Sequence, residues 1–127
     1  MRILVGLIII NLLFGCEEKK DEKSKDLIYF NSKFIAELGE ENYDKYGAKL
    51  NSKFEPKYIG KTIEIAKMIN ANACGEYDGN IEIKKDSLIL IYKLVSDEVC
   101  TSSAVVEVKY KIKNEKKLKY KFGLRYE

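Results

Sequence analysis

The sequence predicts a mainly β domain, built as an antiparallel meander sheet or a partly open small barrel, with one disulfide bond and room for a short N-terminal helix. Apolar and polar residues alternate over residues 81–94 and again over 106–126, which is the period-two pattern of strands with one buried side. Cys74 and Cys100 flank the first of these stretches. The residues that follow the N-terminal segment are enough for a single modest core.

A β-hairpin over residues 74–100 is the central predicted element. A two-residue turn at Asp86-Ser87 would pair Ile83 with Leu90 and give the hairpin one apolar side. The strands on both sides of this turn are therefore expected to be neighbours in one sheet.

The same register places Cys74 opposite Val99, one residue from Cys100. A disulfide needs Cα atoms about 4.4 to 6.8 Å apart, which this pairing provides with a small adjustment. In an exported chain we therefore predict a Cys74–Cys100 disulfide. A redox-active pair is the alternative, but the close Cys-X-X-Cys spacing is absent, so the predicted bond is structural.

The N-terminus is typical of an export signal. Arg2 precedes an apolar run over residues 3–14, which is shorter than the roughly 20 residues of a spanning helix. The run ends in Leu13-Phe14-Gly15-Cys16, which resembles the lipobox of bacterial lipoproteins. The resemblance implies removal of residues 1–15 and acylation of Cys16. An ordinary secretory signal followed by an incidental cysteine is the alternative.

The predicted mature chain begins with a tether. Residues 16–26 are interpreted as the acylated Cys16 and a flexible charged linker, because residues 17–26 include no apolar residue. Acyl chains would hold the domain at a membrane without spanning it. The resemblance implies a lipid-anchored location in the cell envelope. The lack of Asp at position 17 favours the outer membrane, and the domain could lie on either its periplasmic or its surface face. Residues 27–127 are assigned to one β-rich domain.

The first half of this domain has weaker patterns than the second. Residues 27–30 are apolar and fit a short strand. The apolar residues within 34–38 have the spacing of a helix. Those within 43–54 recur at every third or fourth position, which weakly indicates a second helix. Residues 62–70 are predicted as a strand because of their β-branched content, with a helix as the competing interpretation.

A second hairpin is predicted from residues 106–112 and 118–126, with a turn near Asn114 and Tyr110 paired with Tyr120. Its polar side carries four lysines that we single out as candidates for binding an acidic partner: Lys109, Lys111, Lys119 and Lys121. The alternative is a solvated face on which lysines discourage edge-to-edge association. Nucleic acid is not expected, because no aromatic residues interleave with these lysines and the formal net charge of the chain is only +3.

Acidic residues are predicted at the open end of the central hairpin, where a basic partner is a further possibility: Glu76, Asp78, Asp97 and Glu98. The register places Glu76 opposite Asp97, and Ca²⁺ would relieve that repulsion. The spacing of these acidic residues matches no calcium-binding loop, however, and Asp78-Gly79-Asn80 is a sequence that commonly forms a turn. No metal and no cofactor are therefore predicted, with Ca²⁺ as the weaker alternative.

The absence of histidine removes the usual general acid–base and nucleophile pairs, so we do not expect an enzyme. The prediction is a non-catalytic binding module for an envelope or secreted protein, similar to exported inhibitors and immunity proteins in size, disulfide and β content. The alternative is a small-ligand carrier of lipocalin-like or barrel type. A closed barrel with an empty apolar interior would favour the carrier, and an open sheet with exposed aromatic residues would favour the binding module.

Overall fold

Seven strands and one helix make up residues 22–127, the part of the chain that the computed structural model describes. The predicted signal peptide, Cys16 and the start of the linker lie outside the described residues. The elements are β1 (Leu27–Glu37), α1 (Tyr43–Leu50), β2 (Lys57–Ile59), β3 (Thr62–Asn72), β4 (Tyr77–Lys84), β5 (Ser87–Leu94), β6 (Ser103–Lys113) and β7 (Lys121–Tyr126).

The strands form two sheets. The four-stranded sheet has the order β1-β6-β3-β2, and every neighbouring pair in it is antiparallel. The three-stranded sheet has the order β4-β5-β7, with β4 antiparallel and β7 parallel to β5. The mainly β class with one short helix and one disulfide is confirmed, and the sheets are not closed into a barrel.

The core lies between the two sheets, because each strand turns its apolar residues inward at every second position. β3 and β6 contribute from one sheet, and β4 and β5 contribute from the other. The buried cluster contains Ile63, Ile65, Ile69, Ile81, Leu88, Leu90, Ala104, Val106, Val108, Tyr110 and Ile112.

Tyr110 joins the two sheets at the centre of this core. Its side chain is fully buried, and its hydroxyl donates a 2.6 Å hydrogen bond to the backbone oxygen of Ile91 in the opposite sheet. Burial raises the pKa of this hydroxyl, so it stays protonated and able to donate. The ring of Phe30 packs edge-on against Tyr110 with 5.0 Å between centroids. On its other side Phe30 lies against Gly79, where a side chain would overlap the ring.

A buried lysine ties the helix to the four-stranded sheet. Lys67 points inward from β3 with only 8% of its surface exposed, and it donates hydrogen bonds to the backbone oxygens of Leu50 at 3.0 Å and Ser52 at 2.7 Å. Leu50 ends α1, so the ammonium group satisfies carbonyls that have no partner within the helix. Burial lowers the pKa of Lys67.

Two predictions for the first half of the domain have clear outcomes. Residues 62–70 are a strand within β3, as predicted. Residues 34–38 do not form a helix, because β1 continues to Glu37 as the antiparallel partner of β6. The apolar spacing there instead reflects a register irregularity between Phe34 and Ala36.

The predicted hairpin of β6 with β7 is wrong. β6 lies between β1 and β3, so both of its edges are already occupied and β7 pairs with β5 in the other sheet. Tyr110 is therefore not paired with Tyr120. The chain leaves β6 through a turn closed by Asn114, whose side chain accepts from the N–H of Leu118 and donates to the oxygen of Leu118.

The predicted hairpin of β4 with β5 is present, but its register differs by two residues. The turn is Lys85-Asp86, with Lys84 opposite Ser87 and Lys85 at a φ of 55°. Ile83 consequently pairs with Leu88 rather than Leu90. Because side chains alternate with a period of two, this shift leaves the same residues facing the core.

The Cys74–Cys100 disulfide is confirmed, with 5.6 Å between the two Cα atoms. It lies just beyond the paired residues Asn72 and Ser103, where the chain leaves β3 and returns to β6. The side-chain oxygen of Asn72 accepts the backbone N–H groups of both cysteines, at 3.0 and 3.1 Å. The bond therefore holds together the two points at which the chain crosses between sheets.

Candidate functional site

The outer side of the four-stranded sheet forms a positively charged surface, which we call the basic face. Lys109, Lys111 and Lys113 point outward from β6 because they alternate with buried residues of the core. Antiparallel pairing places β1 on one side of β6, and β3 and then β2 on the other. The basic face comprises Tyr29, Asn31, Lys33, Lys57, Ile59, Thr62, Glu64, Ala66, Met68, Glu107, Lys109, Lys111 and Lys113.

Register brings an aromatic ring beside the lysines of the basic face. Tyr29 lies opposite Lys111 across the pairing of β1 with β6, and its side chain is 52% exposed. On the other side of Lys111 the row continues with Glu64 and then Lys57. Sequence reasoning missed Tyr29 and Lys57, because alternation within one strand does not say which strands lie beside it.

Positive charge is in excess on the basic face, which carries five lysines and two glutamates. Glu107 lies 3.8 Å from Lys109, and Lys113 lies 3.3 Å from Glu115 outside the face. Exposed pairs of this kind contribute little to stability. Their lysines can therefore exchange partners at little cost, and the face is suited to attracting an acidic surface.

The other two candidate lysines lie elsewhere, which corrects the prediction that all four share the polar side of one hairpin. The ammonium nitrogen of Lys119 lies 3.8 Å from the centroid of the Tyr58 ring. Lys121 starts β7, and its ammonium group lies 3.7 Å from the carboxylate of Asp86 at the hairpin turn. Both are separated from Lys109 and Lys111 because the chain after β6 crosses to the three-stranded sheet, where β7 pairs with β5.

The predicted opposition of Glu76 and Asp97 is also wrong. The oxygen of Glu76 instead accepts the N–H of Val95, because the hairpin register differs by two residues. Asp97 and Glu98 lie exposed between β5 and β6. Within residues 22–127, no group of three histidine, cysteine or acidic side chains is placed to hold a metal ion.

Asp78 has basic neighbours rather than acidic ones. It lies opposite Lys93 across the hairpin, and its carboxylate accepts a 2.6 Å hydrogen bond from Lys23. Burial acts to raise the pKa of Asp78, but the hydrogen bonds from Lys23 and from the N–H of Gly79 outweigh it, so that the pKa is lowered.

Residues 22–24, which the sequence assigns to the linker, contact the outer side of the three-stranded sheet. The N–H of Ser24 donates to the side-chain oxygen of Asn80 at 2.8 Å, and the amide of Asn80 donates to the oxygen of Glu22 at 3.0 Å. Asn80 points outward because its neighbours Gly79 and Ile81 face the core. Residues 22–24 therefore pack on the domain, although the sequence assigned them to a flexible linker.

We expect Asp78 to contribute to stability in a pH-dependent way. Its folded pKa is lowered, so its contribution is complete above the ordinary value of 3.8 and is lost as the pH falls through the lower folded value. Urea unfolding measured between about pH 6 and pH 2 should show a smaller acid-induced loss of stability for Asp78→Asn than for the unmodified chain. Asp97→Asn is the matched control, and equal behaviour of the two variants would contradict the assignment.

Comparisons with protein family models, with curated proteins and with solved structures find no match for this chain. Between Glu22 and Glu127, no helix has the length and apolar character needed to cross a membrane.

Proposed function

We propose that this chain is an exported, membrane-anchored binding module without catalytic activity, and that its basic face binds an acidic surface of a secreted or envelope protein. The observation that carries the proposal is the excess of lysine on an exposed sheet face that also presents Tyr29. Tyrosine supplies large contact area at low cost in conformational entropy, while lysine charges accelerate encounter with an acidic partner.

The position of the described N-terminus supports a protein partner over the lipid headgroups of the anchoring membrane. Cys16, the proposed anchor, precedes Glu22 by six residues, which span at most roughly 20 Å. Glu22 contacts Asn80 on the outer side of the three-stranded sheet, whereas the basic face is the outer side of the other sheet. Glu22, where the proposed tether joins the described domain, thus lies on the side opposite the basic face, which favours a partner other than the anchoring membrane.

The apolar residues of the basic face define what the partner must present. Met68 is half-buried next to Ala66 on β3, and Ile59 at the end of β2 is 52% exposed. A partner with carboxylates around a small apolar patch would match the lysines and these side chains together. Affinity should then fall with rising salt, but not vanish, because only the electrostatic part is screened.

The small-ligand carrier is the weaker proposal. The space between the sheets is filled by side chains such as Tyr110, Phe30 and Leu90, and the sheets are not closed into a barrel. Exposed aromatic residues, including Tyr29 and Tyr43, are present on open surfaces. Both features fit a module that binds through its surface.

We expect reversal of two charges on the basic face to weaken partner capture strongly. The full chain, anchored in detergent-solubilised envelope from its own cells, is used as bait, and recovered proteins are identified by mass spectrometry. Lys109→Glu with Lys111→Glu should weaken binding of the recovered acidic partner about tenfold or more, because both lysines would then repel it. The fold should be retained, because both side chains point outward from β6 and surface substitutions usually change stability by about 0.5 kcal/mol or less.

Lys119→Glu with Lys121→Glu is the matched control, because it makes the same change in net charge away from the basic face. Equal loss of binding in both double variants would mean that binding depends only on the net charge of the protein, and it would overturn the assignment of the basic face as the binding site. Binding of the unmodified chain to anionic vesicles alone, with no protein recovered, would identify lipid headgroups as the occupant.

A further inference from the structure

An open cleft of about 380 Å³ lies at the end of the molecule that carries the disulfide. One wall is formed by Tyr77 of β4, Tyr92 of β5 and Tyr126 of β7. The other wall is formed by the end of β3 and by residues 101–103, which follow Cys100. We call this site the tyrosine cleft.

The three rings form a bent aromatic wall. Tyr92 lies in the middle, with its ring centroid 6.1 Å from that of Tyr77 and 5.2 Å from that of Tyr126. The hydroxyl of Tyr77 accepts the backbone N–H of Asn72 at 2.9 Å, which fixes that ring. Tyr126 lies at the outer end of the wall with 55% of its side chain exposed. The wall is therefore held in place at one end and open to a ligand at the other.

The facing wall offers neutral hydrogen-bonding groups. It is formed in part by Thr101, Ser102, Ser103 and Asn70, whose side chains are uncharged and can both donate and accept hydrogen bonds. None of the described residues that line the cleft has a charged side chain. A charged ligand would find no ionic partner among these residues, so the lining favours a neutral ligand.

We propose that the tyrosine cleft binds one or two units of a neutral oligosaccharide. A sugar ring has an apolar C–H face that packs on an aromatic ring and hydroxyls that both donate and accept hydrogen bonds, and the two walls supply the matching surfaces. The cleft also falls in the range of roughly 300 to 1,000 Å³ that small-ligand sites occupy. A proline-rich peptide is less well matched, because it needs a longer aromatic groove along several residues.

The disulfide supports this site. Cys100 is bonded to Cys74 immediately before residues 101–103, and the oxygen of Ser102 accepts the N–H of Ala73. The wall that carries the neutral hydroxyls is thereby fastened to the end of β3. Binding should therefore require the oxidised protein.

The test is a titration of the oxidised full chain with maltotriose, cellotriose and triacetylchitotriose, followed by tyrosine fluorescence and by NMR. We expect saturable binding of at least one of these sugars. Tyr126→Ala should weaken it about tenfold through loss of the stacking surface, and Tyr92→Phe, which keeps the ring, should weaken it only a few-fold. Tyr29→Ala is the matched control, because its ring is equally exposed on the basic face and should not matter.

Three results would overturn the proposal: saturation by none of the three sugars, equal effects of Tyr126→Ala and Tyr29→Ala, or saturation only by a proline-rich peptide used as a fourth probe. Because Tyr126 is exposed at the end of the last strand, its removal should leave the fold intact, and the unchanged NMR spectrum of the core would verify this.

Discussion

Replacing both Cys74 and Cys100 with serine is expected to lower the free energy of unfolding by about 3 to 4 kcal/mol. The two cysteines are 26 positions apart, and the bond restricts the unfolded chain over the whole segment between them, which contains β4 and β5. In the folded state the same bond holds the cysteine N–H groups at hydrogen-bonding distance from Asn72. Small domains commonly have a total stability of about 5 to 15 kcal/mol, so this loss would be a large fraction of it.

Urea unfolding followed by circular dichroism measures this effect. The unmodified chain with a reducing agent should behave like the double serine variant, which separates loss of the bond from loss of the side chains. A single Cys74→Ser variant should be as unstable as the double variant. A decrease below about 1 kcal/mol, with an unchanged dependence on urea, would mean that the packed sheets alone hold the crossing points together.

The second large effect is expected at Gly79, where alanine should lower the free energy of unfolding by about 3 kcal/mol, the upper end of the overpacking range. A Cβ atom there would overlap the ring of Phe30, including the ring carbon nearest the backbone, which a small rotation cannot move away. The ring cannot retreat in the other direction, because it packs edge-on against Tyr110. The strand therefore requires glycine at this position because of space.

Gly47→Ala is the matched control, since a Cβ atom at Gly47 meets nothing within 4 Å. That variant should be more stable by roughly 0.5 to 1 kcal/mol, because alanine favours the helix. Shortening Phe30 to leucine should rescue Gly79→Ala, so that the double variant is at least about 1 kcal/mol more stable than the sum of the single effects predicts. Strictly additive effects would show that the two residues do not contact each other.

Local patterns were sufficient to predict the central hairpin and the disulfide. Alternation of apolar residues on both sides of a short turn identifies two neighbouring strands, and the cysteine spacing follows from that pairing. The exact turn was not predictable, because Lys85 adopts a positive φ that lysine rarely shows, whereas Asp86-Ser87 has more typical turn composition. The two-residue difference moved Asp78 opposite Lys93 and separated Glu76 from Asp97.

Long-range pairing was not predictable from the same patterns. β6 and β7 both alternate as amphipathic strands do, but alternation identifies the buried side of a strand and not its partner. The parallel pairing of β5 with β7 has no local signal at all. Alternation within β6 was enough to place Lys109 and Lys111 on the outer side of their strand. It could not show that Tyr29 lies beside them, because that depends on the pairing of β1 with β6.

The pairing of the first strand with the sixth affects how this protein can be made. Phe30 in β1 lies opposite Tyr110 in β6, so β1 has no neighbouring strand until β6, far along the chain, has been synthesised. Contacts between residues so distant in sequence slow folding, typically to milliseconds or seconds for β proteins. The early segment would spend that interval with its strand edges unpaired, a state in which newly made chains are especially prone to aggregate.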